Sequence, residues 1–431
     1  MSISKIFIKQ LDIEKVRHIQ SVSIPLYSDG EETDKEKDQF KHLLITGKNG
    51  SGKTSVLDAL AKYLDDICEN QKLIKNKQSL QIAKENLERQ IQRKLDISAI
   101  ISTQKNIKFY ESNIAKYYAG LTATFNEDIF TVNEAFQDGE FILAYFKAER
   151  IFNAKESKHV EKVDLKDCYK INENPREDFI KYLVDKKVSQ SLYQTQNETK
   201  KAKELENWFT SFEQLLQEIF TDPTLLLNFD VKTFSFNIQT KDREDFGFNT
   251  MSAGYAAILD IAVNLIMRME QHTGGTFCFT MPGIVLIDEL ETHLHYSMQK
   301  AVLPFLCKVF PNIQFIVSTH SAFILNSTPN AVIYDLENQK LVKDGLANYP
   351  YEGIIEGYFD VSTLSDELNK KFERYKALIQ KNNLTDEEYR ELALLNLYLE
   401  EIPDYLALDI ATEYKRLQLE FEQRGRKNDK S

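Results

Sequence analysis

The spacing of hydrophobic residues changes several times along the chain, and each change marks an expected element. Residues 3–27 alternate, with Ile3, Ile6 and Ile8 and later Val22, Ile24 and Leu26 on one side, as strands of a small antiparallel sheet would. A charged loop, Asp29 to Asp38, separates them from His42 to Thr46, an apolar run of strand length. From Ser55 to Leu64 the period becomes helical, through Val56, Leu57, Leu60 and Leu64. Between Asn70 and Tyr118 Gly and Pro vanish, and Leu73, Leu80 and Leu87 recur seven apart before Ile91 and Leu95, which predicts a pair of helices or short hairpin. Phe141 to Phe146 is strand-like. A second helical stretch is expected over Asp164 to Phe220, where Leu205, Trp208, Phe209, Phe212, Leu215, Leu216 and Phe220 have the spacing of a core face. Pro223 ends it, and Leu225 to Ile238 returns to strand. Ala256 to Met267 is a mostly apolar helix, while Ile284 to Ile287, Ile313 to Val317 and Ala331 to Leu336 are continuous apolar strands. The tail is helical over Glu367–Gln380, Thr385–Glu401 and Asp404–Glu422, with Leu392, Leu395 and Leu399 on one face.

Chemistry concentrates where these elements end. Gly47-Lys48-Asn49-Gly50-Ser51-Gly52-Lys53-Thr54 fits G-x-x-x-x-G-K-[ST] between an expected strand and an expected helix, the context that a phosphate-binding P-loop requires. Its glycines allow successive N–H groups to turn inward around phosphate oxygens, and the helix N-terminus adds partial positive charge. Lys53 would reach the β- and γ-phosphates of ATP, and the Thr54 hydroxyl would ligate Mg²⁺. The later run Ile284-Val285-Leu286-Ile287 ends in Asp288-Glu289, two carboxylates at the end of a buried strand, where ligands sit in open α/β sheets. Asp288 would hold Mg²⁺ and Glu289 would polarise the attacking water. Glu291, His293 and His295 could alternatively form a metal cluster, although histidines two apart need an extended backbone.

These segments resemble those of ABC/SMC-like ATPases. The compact group in question includes Septu-type and retron-associated anti-phage ATPases and the ATPase part of overcoming-lysogenisation-defect nucleases. Asp288 to His295 and Phe310 to Ser321 carry much of the likeness, which covers residues 1 to about 60 and 205 to about 340. It implies an α/β fold, an ABC-type P-loop head with a mixed β-sheet, helical insertions and a helical C-terminal tail. The corresponding segments are 1–69 (P-loop lobe), 70–118 (hairpin insertion), 119–163 (head strands), 164–222 (second insertion), 223–345 (C-terminal lobe) and 346–431 (tail). Met251-Ser252-Ala253-Gly254-Tyr255 resembles the signature motif, so Ser252 and Gly254 would act on ATP held by another copy in a head-to-tail homodimer. Glu291 to His295 would be the D-loop, and His320 the switch histidine near the γ-phosphate. No Q-loop glutamine is recognisable after Phe146; Glu149 or Arg150 stands there instead, to complete Mg²⁺ coordination or contact phosphate.

Charge and cysteine usage narrow the partners. Residues 71–118 hold ten Lys/Arg against four acids within a chain of net charge −12, a stripe suited to nucleic acid or to an acidic partner, or simply a solvated face. Cys68, Cys168, Cys278 and Cys307 form no C-x-x-C pair, which argues against a zinc ribbon or disulfide framework and for a reducing, cytoplasmic setting. No signal peptide or membrane span is expected, and no complete nuclease domain has room after the last strand. Two roles follow from the resemblance. One is a sensor ATPase that controls a separate nuclease effector, plausibly of HNH type; the other is an SMC-like repair or recombination ATPase that binds DNA through residues 71–118.

Overall fold

Alternation near the N-terminus produces β1 (Ile8–Val16) and β2 (Ile19–Pro25), an antiparallel hairpin closed by the two-residue turn Arg17-His18. Next come β3 (His42–Thr46), α1 (Lys53–Cys68), α2 (Lys72–Gln92), α3 (Ile97–Tyr118), β4 (Leu121–Phe125), α4 (Ile129–Gln137) and β5 (Ile142–Phe146). In the computed structural model the described residues are 5–27, 40–93, 97–118, 120–156, 159–241, 243–350, 353–354, 366–381, 384–400 and 412–419. Ile3, the charged loop at 29–38, Leu95 and most of the expected helix at 404–422 fall outside them. Two compact units divide between Tyr349 and Pro350, four residues later than the sequence boundary.

The middle of the chain departs from expectation twice. Residues 164–174 are not helical; helix begins at α5 (Phe179–Thr195), after a short turn over Pro175–Asp178, and continues in α6 (Thr199–Phe220). The cause is a buried guanidinium: Arg268 donates to the carbonyls of Tyr169 (3.3 Å), Lys170 (3.0 Å) and Glu173, which satisfies this segment's backbone without a helix. The strand expected at 225–238 is two, β6 (Leu226–Asp230) and β7 (Ser235–Thr240), which with β8 (Arg243–Gly247) form a three-stranded antiparallel meander. Asp230 breaks it by accepting from the amide of Lys232 (2.8 Å), and Phe234 turns the chain at φ 51°.

Beyond the meander lie α7 (Ala253–Met269), β9 (Gly283–Ile287), α8 (Tyr296–Val309), β10 (Ile313–Ser318), α9 (Ala322–Leu325), β11 (Ala331–Asp335) and β12 (Lys340–Val342). The larger sheet has the order β12-β11-β3-β10-β9-β5, parallel throughout except for β12. Every residue of β3, β5, β9, β10 and β11 is buried, as continuous aliphatic runs covered on both faces should be. Parallel direction has a functional consequence. The chain leaves all five strands on the same side, so the P-loop after β3, the carboxylates after β9 and His320 after β10 gather along one edge. A smaller sheet, β2-β1-β4, is tied to the larger by Gln314, whose buried side chain accepts from the Ile8 amide (2.8 Å) and donates to the carbonyls of Ile8 (3.0 Å) and Lys41 (2.9 Å). In the second unit, α10 (Asp366–Gln380), α11 (Asp386–Glu400) and a helix at 412–419 enclose Phe372, Tyr375, Leu378, Leu392, Leu399 and Tyr414.

His42, at the start of β3, is buried; its Nδ1 accepts from the Phe315 amide (3.1 Å), so its proton lies on Nε2, facing Cys307 Sγ at 3.2 Å. Burial lowers its pKa to about 4. The unfolded chain therefore takes up this proton first: the contribution to stability is complete above pH ~6.5 and falls by about 3 kcal/mol as pH drops to ~4. In His42→Asn, whose amide oxygen can still accept from Phe315, urea unfolding followed between pH 7 and 4 should show a flatter decline than in the wild type.

Candidate active site

Three glycines shape the loop after β3. Gly47, Gly50 and Gly52 have φ of 131°, 83° and 99°, a region that side chains disfavour. Gly52 also admits close packing: a Cβ there would lie 2.8 Å from Ile19 Cδ1. Neighbouring His18 donates from Nε2 to the Ser51 carbonyl at 3.1 Å, so the β1–β2 turn is seated on the P-loop. Lys53 is only 5% exposed and curls back, donating to the carbonyls of Gly47 (2.9 Å) and Lys48 (3.2 Å). Desolvation lowers its pKa, while Glu289, Glu291, Asp288 and Asp335 pull in the opposite direction. Among the described residues Ser51 Oγ is buried without a hydrogen-bond partner, an orphaned group within a cradle of backbone amides that suits a phosphate oxygen. At the loop's outer edge Lys48 pairs with Glu337 (2.6 Å), which follows β11.

Asp288 joins this loop to the strand ends. One carboxylate oxygen accepts from Thr54 Oγ1 (2.9 Å), the other from Ser318 Oγ (2.5 Å), and the Ser318 oxygen in turn accepts from the Glu289 amide (2.8 Å). Thr54 and Asp288 thus present hard oxygen donors side by side, a set that fits Mg²⁺. Glu289 follows the last strand residue by two and turns left-handed, at φ 47°, a conformation that costs about 1–2 kcal/mol for a residue with a side chain. Its carboxylate accepts weakly from Thr292 Oγ1 (3.4 Å). The His320 amide donates to Glu291 Oε1 (2.5 Å). Desolvation, and then the positive charge of Lys53, push the His320 imidazole below its ordinary pKa and favour the neutral ring.

Other expected features assemble differently. Ser252 stands at the N-cap of α7 but its side chain accepts no capping bond; it is exposed, and no hydrogen bond links it to the P-loop or the carboxylates among the described residues. Gly254 lies against the D-loop segment of its own chain, where a Cβ would meet the His293 carbonyl at 3.1 Å and Met298 Sδ at 3.2 Å. Glu291 is engaged by His320 and His295 Nδ1 by Ser297 Oγ (3.1 Å), and the described residues contain no group of three His, Cys, Asp or Glu arranged for a metal, so the alternative cluster does not form. Arg150 likewise turns away from phosphate or Mg²⁺ contact. Its guanidinium is committed to the carbonyls of Lys147, Asp288, Glu289 and Leu290.

A family model described as "AAA domain, putative AbiEii toxin, Type IV TA system" matches residues 43–326, from β3 past α9. The chain belongs to this AAA-domain family. Septu protein PtuA of Bacillus mycoides (strain KBAB4) is 24% identical to it over 401 residues, 90% of this chain and 49% of that protein. Retron Ec83 probable ATPase of Escherichia coli is 36% identical over 147 residues, 33% of this chain and 27% of that protein. The chain therefore spans about half the length of the first relative and less of the second. The SMC head domain from Thermotoga maritima is similar over 76% of this chain and 94% of that one, at 13% identity and a TM-score of 0.34. The likeness to Septu-type and retron-associated ATPases drawn from the motifs is borne out.

Sequence reasoning passed over three participants of this AAA-family site. Ser318 is the polar end of an aliphatic strand, a signal present in the sequence but left without a role. His18 reaches the P-loop only through the hairpin turn, and Glu337 only through the β11–β3 pairing; nothing local marks them. Replacing Ser318 with Ala would strand the Glu289 amide and one Asp288 oxygen, and the urea midpoint should fall by the equivalent of about 1–3 kcal/mol.

Proposed function

We propose that this AAA-family chain binds ATP with Mg²⁺ and hydrolyses it in a head-to-tail homodimer, as the sensor subunit of a bacterial anti-phage complex that controls a separate nuclease effector. The observation that carries the ATPase reading is the bond between Thr54 and Asp288, which joins the P-loop to the carboxylate strand across 234 positions beside Lys53 and Glu289. Lys53 would exchange its two carbonyl partners for the β- and γ-phosphates, while the backbone amides of residues 47–54 surround them. Mg²⁺, held by Thr54 and Asp288, would supply Lewis-acid stabilisation of charge on the transferred phosphoryl group. Glu289 accepts a proton from the attacking water, and neutral His320 orients that water or the γ-phosphate.

The dimer is supported by the exposure of Ser252 at the N-terminus of α7, with no hydrogen bond to its own P-loop among the described residues. A second copy would bring Ser252 and Gly254 over the first copy's ATP, completing two sites by two-fold symmetry. The defence role is drawn from the Septu and retron relatives, and four free cysteines suit a cytoplasmic setting. A DNA-binding repair ATPase is the second reading, favoured by the exposed Lys75, Lys105 and Lys108 of the α2–α3 hairpin. Phosphate contacts there would make retention on duplex DNA fall steeply with salt.

Lys53→Ala should weaken ATP binding roughly 10- to 100-fold in a fluorescent-nucleotide titration. Glu289→Gln should bind ATP normally, lose hydrolysis by about 10²- to 10⁴-fold and accumulate as dimer in light scattering; turnover at the wild-type rate would exclude Glu289 as the base. Neither Lys53→Ala nor Ser252→Arg should turn over ATP alone. Their mixture should recover activity through one intact composite site per mixed dimer, and no recovery would refute action in trans.

A further inference from the structure

The carbonyls of the turn that carries Glu289 converge on one side chain from the segment after β5. Arg150 lies four residues beyond β5, is 4% exposed, and donates from Nη1 to the carbonyls of Asp288 (2.8 Å) and Lys147 (3.2 Å). Its Nη2 donates to the carbonyls of Glu289 (2.8 Å) and Leu290 (3.2 Å). Three consecutive carbonyls of the turn therefore converge on one guanidinium. In a regular strand successive carbonyls point in alternate directions; here they converge at a turn in which Glu289 is left-handed. The clamp and the unusual backbone are thus two aspects of one arrangement. A planar fork is needed to meet several oxygens at once, which an ammonium cannot do in the same geometry.

Such a buried cation needs a counter-charge: burial lowers the Arg150 pKa, and Asp260 leads the carboxylates that oppose this. That carboxylate is buried on α7, eight residues beyond Ser252, and pairs with Arg176 Nε at 2.7 Å. Arg176 is fixed in turn by the Ile151 carbonyl (2.6 Å), the residue after Arg150. Among the described residues Arg150 Nε is buried without a hydrogen-bond partner, so the donors of the clamp that are engaged are Nη1 and Nη2.

We propose that Arg150 is the positioning residue that holds the Glu289 backbone in its working orientation, and that Asp260 couples this clamp to α7. Displacement at the N-terminus of α7, where Ser252 and Gly254 lie, then changes the rate of water activation with little change in nucleotide affinity. The inference rests on Glu289 being the group that activates water, as proposed above.

Amide hydrogen exchange on the nucleotide-free chain tests the clamp without any need for turnover. In Arg150→Met, exchange over residues 288–292 should rise about tenfold or more while 313–318 stays protected. In steady-state kinetics kcat should fall roughly 30-fold, with KM and ADP affinity changed less than about threefold. Arg150→Lys should recover only a minor part of kcat, and should still report if the Met variant does not fold. Asp260→Asn should lower kcat by about tenfold, and the Arg150→Met/Asp260→Asn double variant should be no slower than Arg150→Met alone. Unaltered exchange at 288–292, equal losses in kcat and ADP affinity, or independent multiplication of the two variants would overturn the proposal. If the wild-type chain hydrolyses no ATP, the ATPase reading fails, whereas the exchange result still decides whether Arg150 holds the turn.

Discussion

One buried carboxylate organises the candidate site. Asp288 is 4% exposed and shared between two hydroxyls, Thr54 from the P-loop helix and Ser318 from the neighbouring strand. Burying a carboxylate is costly unless its oxygens are matched, and here each oxygen receives a hydroxyl. Matching it requires β3, β9 and β10 to lie side by side and in parallel, so that their ends meet. The same requirement sets Lys53, Glu289 and His320 at one edge. Within this small volume Lys53 feels four carboxylates, and burial and then the charge of Lys53 lower the pKa of His320. The electrostatics of each residue is thereby a property of the group.

Guanidinium groups perform a related task where the chain leaves regular structure. Arg268 donates to carbonyls at 143, 169, 170 and 173, Arg176 to Ile151, and Arg150 to the turn after β9. Loops buried beside a sheet would otherwise hold unmatched carbonyls, and a rigid five-donor fork can satisfy several of them at once. The described residues of 147–178 have little helix or strand of their own, and the Ile171 carbonyl accepts from the Tyr145 amide of β5 (3.0 Å). That segment separates β5 from α5, and all three arginines connect it to α7 or to the Glu289 turn.

Legibility in the sequence followed the range of the forces involved. The P-loop, the aliphatic strands and α7 were visible because each depends on neighbours within a few residues: glycines at a turn, a period of hydrophobic positions, a polar residue at a strand end. The hairpin at α2 and α3 was equally plain from its heptad-like leucines. By contrast 164–174 looked helical because its composition is compatible with helix, and only the distant Arg268 makes the extended path favourable. The turn between β6 and β7 was passed over although Asp230 is a turn former by type, because Phe234, which completes it at φ 51°, is not.

By itself the sequence determined which side chains would be available at each strand end and which stretches could be buried on both faces, because apolar periodicity and loop glycines act locally. Tertiary structure decided which ends meet. It brought Asp288 to Thr54, drew Arg150 away from phosphate and onto the Glu289 turn, and left Ser252 exposed. Those outcomes depend on strand order and on matching buried polar groups from segments as much as 234 residues apart, a condition that no local pattern encodes.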